Sequence, residues 1–204
     1  MSGARESWLR ICATVVLTSA LCPVSAEAHL NSTGMGPIYD GLMHFLTSPE
    51  DLVPAVALAL LAGLRGASYG RQALFTLPVA WLSGSLLGLA AAATGGSAVL
   101  SSFWFLLMGG VVAADAKLSL RVMIALAALL GLYHGYFNGT GMGESVSAIS
   151  AVVGLALALF VLIALAAAFV VQLRAHWARI AVRVAGSWIA ASGLLLLGWA
   201  VRGS

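Results

Sequence analysis

Two pairs of polar side chains stand within otherwise apolar stretches at a spacing that could place each pair on one ion. Asp40 and His44 are four residues apart, and so are His134 and Asn138. In a helix, residues at this spacing lie on one face and can reach a common atom. Imidazole nitrogens together with carboxylate oxygens suit Ni²⁺, Co²⁺, Zn²⁺ or Cu²⁺. The two pairs therefore predict binding of a divalent transition metal. The alternative for Asp40 and His44 is that they are only the solvent-exposed polar residues of an interfacial helix.

Two acids and one further histidine extend this set. Glu50 and Asp51 follow Ser48 and a proline at the start of an apolar stretch, which is also the pattern of an N-capped first helical turn. Helix capping is therefore the alternative role for both acids. His29 would become the first residue if a signal peptide were removed, and its α-amine and imidazole could then chelate one cation. The predicted metal ligands are His29, Asp40, His44, Glu50, Asp51, His134 and Asn138.

The composition restricts the protein classes that could position these residues. Apolar residues make up 61% of the 204-residue chain and charged residues only 8%, whereas a soluble domain carries about 25% charge. Disordered chains are charged and poor in apolar residues, so disorder is excluded as well. Basic residues spread thinly between apolar runs make a poor phosphate-binding face, so we expect no nucleic-acid partner. The remaining class is an all-α, polytopic membrane protein in a lipid bilayer.

The first 28 residues have the features of a secretory signal peptide. A positively charged start precedes an apolar core over 11–21, and Ala26-Glu27-Ala28 matches the small-x-small cleavage pattern. The alternative is an uncleaved first transmembrane helix. Cleavage after Ala28 would remove both cysteines and leave a chain without thiols. The predicted organisation is a signal peptide over 1–28, a periplasmic segment over 29–48 and a transmembrane domain over 49–204.

Six apolar stretches approach the length of about 17–25 residues that crosses a bilayer. A shorter apolar segment over 37–47 precedes them and is predicted to be an interfacial or re-entrant helix. Pro54 lies near the start of the first stretch, where a missing N–H costs little, whereas Pro78 lies deeper in the second and predicts a kink. The predicted spans are 49–65, 73–93, 98–114, 120–138, 147–173 and 184–201.

The distribution of charge predicts the orientation of these spans. Seven of the eight basic residues beyond residue 28 fall in the loops after the first, third and fifth spans, and the other two loops contain none. The positive-inside rule therefore places those three loops in the cytoplasm. It follows that both ends of the mature chain are periplasmic and that most acids and histidines face the periplasm. The predicted location is a bacterial inner membrane.

The sequence resembles a known family in two places. Residues 29–66, HLNSTGMGPIYDGLMHFLTSPEDLVPAVALALLAGLRG, and residues 134–139, HGYFNG, resemble the HupE/UreJ family of small bacterial membrane proteins. The resemblance implies a nickel or cobalt permease that works with hydrogenase or urease maturation proteins. Laid without gaps on residues 44–51, the family motif His-Pro-x-x-Gly-x-Asp-His keeps its first histidine but loses its proline and its glycine. It implies a ligand at His44 and a similar donor at Glu50, whereas Asp51 replaces the final histidine.

The leading hypothesis is therefore secondary transport of Ni²⁺ or Co²⁺, with Cu²⁺ or Zn²⁺ still open and no resident prosthetic group. A membrane-bound metallochaperone or assembly factor, which would bind the ion without moving it, is the alternative. Polar groups deeper than His134 would favour transport, and the spans offer mainly scattered hydroxyls. A third hypothesis is an intramembrane hydrolase with Ser68 as its nucleophile, but Ser68 falls in a predicted cytoplasmic loop, far from His134. We therefore expect no enzymatic activity.

Overall fold

The computed structural model describes residues 33–91, 96–142 and 147–202, and within those ranges the chain is all-helical, without a strand. The predicted all-α class is thus confirmed. The predicted signal peptide and His29 lie outside the described residues. The seven helices are α1 (Pro37–Thr47), α2 (Pro49–Arg65), α3 (Ala67–Leu89), α4 (Ala98–Ala113), α5 (Leu120–Met142), α6 (Ala148–Gln172) and α7 (His176–Arg202).

A sharp bend separates the first two helices, whose axes differ by 75°. Ser48 lies at the bend in an extended conformation, because a residue before proline is sterically disfavoured in the helical region. Both helices have the predicted bounds. Ser48 occupies the N-cap position of α2, but its side chain makes no capping hydrogen bond. Gly66, with a φ of 113°, ends α2 in a conformation that favours glycine.

Each of the six predicted spans coincides with a helix, but the helices differ in length. Four of those described, α3, α5, α6 and α7, are long and apolar enough to cross a membrane alone, and the bent pair α1–α2 raises the number to five. Helix α4 has 16 residues and is therefore about 24 Å long, less than a hydrocarbon core of about 30 Å. The structure thus supports a helical membrane protein with four or five candidate spans, and the sixth span remains a prediction.

Helix α2 occupies the centre of the bundle and contacts each of the other six described helices. It can do so because its side chains between the first and last turns are mostly alanine and leucine, fully buried at positions such as Ala55, Leu58 and Leu61. On one side of it, α3 and α5 pack in parallel. On another side, α4 and α7 pack antiparallel, with Gly109 against Gly186 and Gly193 against Phe105.

The two ends of the bundle carry opposite kinds of side chain. We call the end that holds Asp51 and His134 the site end, and the end that holds Arg65 and Asp115 the basic end. Arg65 pairs with Asp115 there, and the other basic residues of the predicted cytoplasmic side lie near the starts of α3, α5 and α7 or in the loops before them. The side of the membrane that each end faces remains a prediction.

Two arginines from the start of α7 also reach helix ends at the basic end. Arg179 Nη2 donates to the Leu64 carbonyl at 3.0 Å, and Arg183 Nε donates to the Ala113 carbonyl at 3.1 Å. The C-terminal carbonyls of a helix lack partners within the helix, and cations are favourable beside them. The start of α7 therefore fastens the ends of α2 and α4.

Candidate metal site

Four of the predicted ligands form one chain of hydrogen bonds at the site end, although they come from three helices. His134 Nδ1 lies 2.9 Å from Asp51 Oδ1, and Asn138 Nδ2 donates to Asp51 Oδ2 at 2.9 Å. Asn138 Oδ1 lies 2.8 Å from His44 Nε2. Asp51, His134 and Asn138 are 4%, 3% and 8% exposed, so this network is shielded from its surroundings. We call these four residues the relay.

The relay fixes which nitrogen of each neutral histidine carries the proton. Asn138 Nδ2 also donates to the His134 carbonyl at 2.8 Å, so its Oδ1 must accept, and His44 Nε2 must donate to it. An ionised carboxylate only accepts, so His134 donates through Nδ1 to Asp51. The remaining lone pairs are on His44 Nδ1 and His134 Nε2. A carboxylate bound to the far nitrogen of a histidine is the usual arrangement behind a metal-binding imidazole.

Aromatic rings surround the His134 imidazole. The Trp81 ring stacks on it with a centroid distance of 5.4 Å, and the Tyr133 ring meets it edge-on at 5.0 Å. Trp104 lies 6.3 Å away. His134 Nε2 is buried without a hydrogen-bond partner, and such a group costs free energy unless something pairs with it. The free lone pair of His134 is therefore held in a rigid, largely apolar enclosure.

Close packing of α3 on α5 positions His134 and Asn138. A Cβ atom added at Gly135 would overlap the Trp81 carbonyl oxygen, and one added at Gly139 would overlap the Ser85 carbonyl oxygen. Only glycine lets the two backbones approach this closely. Glycine permits either close approach of a second backbone or local unwinding. The structure shows close approach, with α5 helical as far as Met142.

The other predicted ligands lie around the relay or away from it. Glu50 is exposed but interacts electrostatically with Asp51, His134 and His44. The Asp40 carboxylate accepts two hydrogen bonds from Thr33, one from its backbone N–H at 2.6 Å and one from its hydroxyl at 2.7 Å. Across the residues that the structure describes, no three His, Cys, Asp or Glu side chains converge to hold a metal. The full seven-ligand set therefore stays a prediction.

Buried polar side chains occur only near the site end in the described part of the chain; they are Asp51, Ser85, Ser102, His134 and Asn138. Toward the basic end, the fully buried side chains are apolar, such as Leu61, Leu77 and Met123. Of the hydroxyls considered as a polar lining, Ser83, Ser187 and Ser192 are exposed on the bundle surface. Ser85 alone among these four is buried. The conformation described is thus closed between the site and the basic end.

A family model described as "HupE / UreJ protein" matches residues 16–196, which is most of the chain and includes every residue of the relay. The chain belongs to the HupE/UreJ family. This family is associated with nickel or cobalt transport or with metalloenzyme maturation, and it is transporter-like rather than enzymatic. No curated protein and no solved structure matches the chain.

Sequence reasoning missed the aromatic part of the site in this HupE/UreJ family member. The sequence does not mark Trp81 and Trp104 as site residues, because buried tryptophans are common in the core of apolar helices. Their position could have been inferred only from the glycines spaced four apart in α5, Gly131, Gly135 and Gly139, which mark the face that packs on α3.

Proposed function

We propose that this protein carries Ni²⁺ or Co²⁺ across the bacterial inner membrane and captures the ion at the relay. The observation that carries the proposal is the buried, unpartnered Nε2 of His134, whose opposite nitrogen is bound by the Asp51 carboxylate. Buried ionisable groups within membrane helices are costly and usually functional. Family membership adds the metal class.

The charge distribution supports the direction of capture. In the proposed topology the site end faces the periplasm, and Glu50 and Asp51 give it the negative potential that attracts cations. Entry into the cytoplasm is then favoured by an inside-negative membrane potential, by about 2.3 kcal/mol per charge per 100 mV. The predicted partners, hydrogenase or urease maturation proteins, would receive the ion at the basic end.

The test replaces His134 or His44 with alanine and measures cellular accumulation of nickel and cobalt, together with the amount of inserted protein. Both variants are expected to insert normally and to lose most of the accumulation, because each removes one of the two free imidazole lone pairs. His176→Ala is the matched control, since His176 is exposed at the basic end. Unchanged accumulation in both site variants would contradict the proposal.

One observation favours the alternative of a metallochaperone. Among the described residues, the apolar core between the relay and the basic end offers an ion no ligand, as expected of a protein that displays a metal to a partner without moving it. Purified protein in sealed vesicles distinguishes the two functions. A permease fills the vesicle interior with Ni²⁺, whereas a chaperone binds no more than a stoichiometric amount. To act as a permease, the protein must open this apolar core during transport.

A further inference from the structure

Unpartnered polar atoms are concentrated beside the relay. The structure describes four buried side-chain nitrogens or oxygens without a hydrogen-bond partner, and three of them belong to Trp81, Ser85 and His134. Trp81 and Ser85 are one turn apart on the face of α3 that packs against α5, and Trp81 stacks on His134. Because each such atom costs free energy, their occurrence together points to a guest that pairs with all three.

Ser85 lacks the intrahelical hydrogen bond that several other helical serines make. A serine within a helix commonly donates to the carbonyl four residues earlier. Ser83 does so at 2.8 Å, Ser102 at 2.7 Å, and Ser192 at 3.0 Å. Ser85 is fully buried and makes no such bond. An unsatisfied hydroxyl costs more free energy when it is buried than when water can pair with it.

The three free groups are complementary to a water molecule. The Trp81 indole N–H only donates, the Ser85 hydroxyl donates or accepts, and His134 Nε2 presents a lone pair. A buried water needs two to four polar partners. An ion captured at the relay would also need water, because fewer than three His, Cys, Asp or Glu ligands converge there among the described residues.

We propose that Trp81 and Ser85 form a hydration pocket, so that the site binds a partly hydrated divalent cation. His134 Nε2 binds the ion, and a water held by the pocket is one of the ion's other ligands. The water oxygen accepts from the Trp81 N–H, and one of its hydrogens is donated to Ser85 Oγ. Trp81 and Ser85 are positioning residues in this arrangement and never touch the ion. The inference rests on the proposed function, since it concerns the same ion.

The test compares Ser85→Ala with Ser83→Ala in the purified full-length protein, with Ni²⁺ binding measured by calorimetry. Ser85→Ala is expected to weaken binding about two- to tenfold, the effect of losing one hydrogen bond. The thermal midpoint of its metal-free form is expected to stay the same or rise, because an unpaired buried hydroxyl has been removed. Ser83→Ala should change neither quantity. Trp81→Phe keeps a stacking ring without the N–H and should also weaken binding.

The outcomes distinguish this inference from the proposed function. Wild-type protein that binds neither Ni²⁺ nor Co²⁺ would overturn both. Wild-type binding that Ser85→Ala leaves unaltered would overturn the hydration pocket alone.

Discussion

The site end and the basic end of the bundle are both held by polar contacts, but they use different kinds of contact. At the site end, buried side chains bind one another, with Asp51 accepting from His134 and Asn138. At the basic end, Arg179 and Arg183 bind backbone carbonyls, and the side chains of the pair Arg65–Asp115 are 12% and 30% exposed. The difference teaches that one end is organised by contacts between buried side chains, as the proposed ion site requires, and the other by contacts that join helix ends.

The largest expected effect comes from Asp51→Ala. This change leaves two donors, on His134 and Asn138, buried without their acceptor. A buried donor left without its acceptor costs about 1–3 kcal/mol, so the two together cost about 2–6 kcal/mol. We expect a loss of that size in the free energy of unfolding, measured by tryptophan fluorescence during denaturation in detergent. Asp115→Ala is the matched change at the basic end, where a partly exposed pair contributes about 1 kcal/mol or less. Equal losses would remove the distinction between the ends.

A smaller effect is expected from Gly135→Ala. The added methyl group would overlap the backbone of Trp81, which cannot move aside without separating α3 from α5. Overpacking of this kind costs about 1–3 kcal/mol, and Ni²⁺ affinity should fall because His134 is displaced. Gly70→Ala is the control in α3 near the basic end, because its added Cβ would lie at an ordinary 3.4 Å from Ala167 Cβ. The same denaturation measurement should show little change there, and a loss as large as that of Gly135→Ala would contradict the packing argument.

The smallest effect is expected from Arg179→Met, which keeps an apolar stem and removes the donor to Leu64. Hydrogen exchange of backbone amides at the end of α2 should accelerate, and stability should fall by no more than about 1 kcal/mol. Ni²⁺ affinity should remain that of the wild type. A clear loss of Ni²⁺ affinity would show that the fastening at the basic end and the site are not independent.

The helices were largely predictable because local signals mark their ends. Ser48 before a proline and Arg65 before Gly66 gave the bounds of α1 and α2. The start of α7 was predicted at residue 184, but the helix begins at His176. Arg179 and Arg183 suggested a loop, whereas their long side chains bind the carbonyl ends of neighbouring helices. That role depends on tertiary contacts that a sequence pattern does not contain.

The site was predictable only in part. Spacing places His134 and Asn138 on one face of a helix, but their partners Asp51 and His44 are 83 to 94 residues away. No local pattern determines such a pairing. The glycines of α5 permit close packing or unwinding and do not identify α3 as the neighbour. Trp81 and Ser85 were not predictable, because what distinguishes them is a buried polar atom without a hydrogen-bond partner, and a sequence does not show hydrogen bonding.

The central position of α2 has a mechanical consequence. Asp51 in its first turn and Arg65 in its last turn are separated by 14 residues, or about 21 Å along the axis. The surface between them is smooth, made of small and aliphatic side chains without a polar anchor among its fully buried positions. A shift of α2 along its axis would therefore stretch the contacts of Asp51 at one end and the contacts of Arg65 and of the Leu64 carbonyl at the other end at the same time.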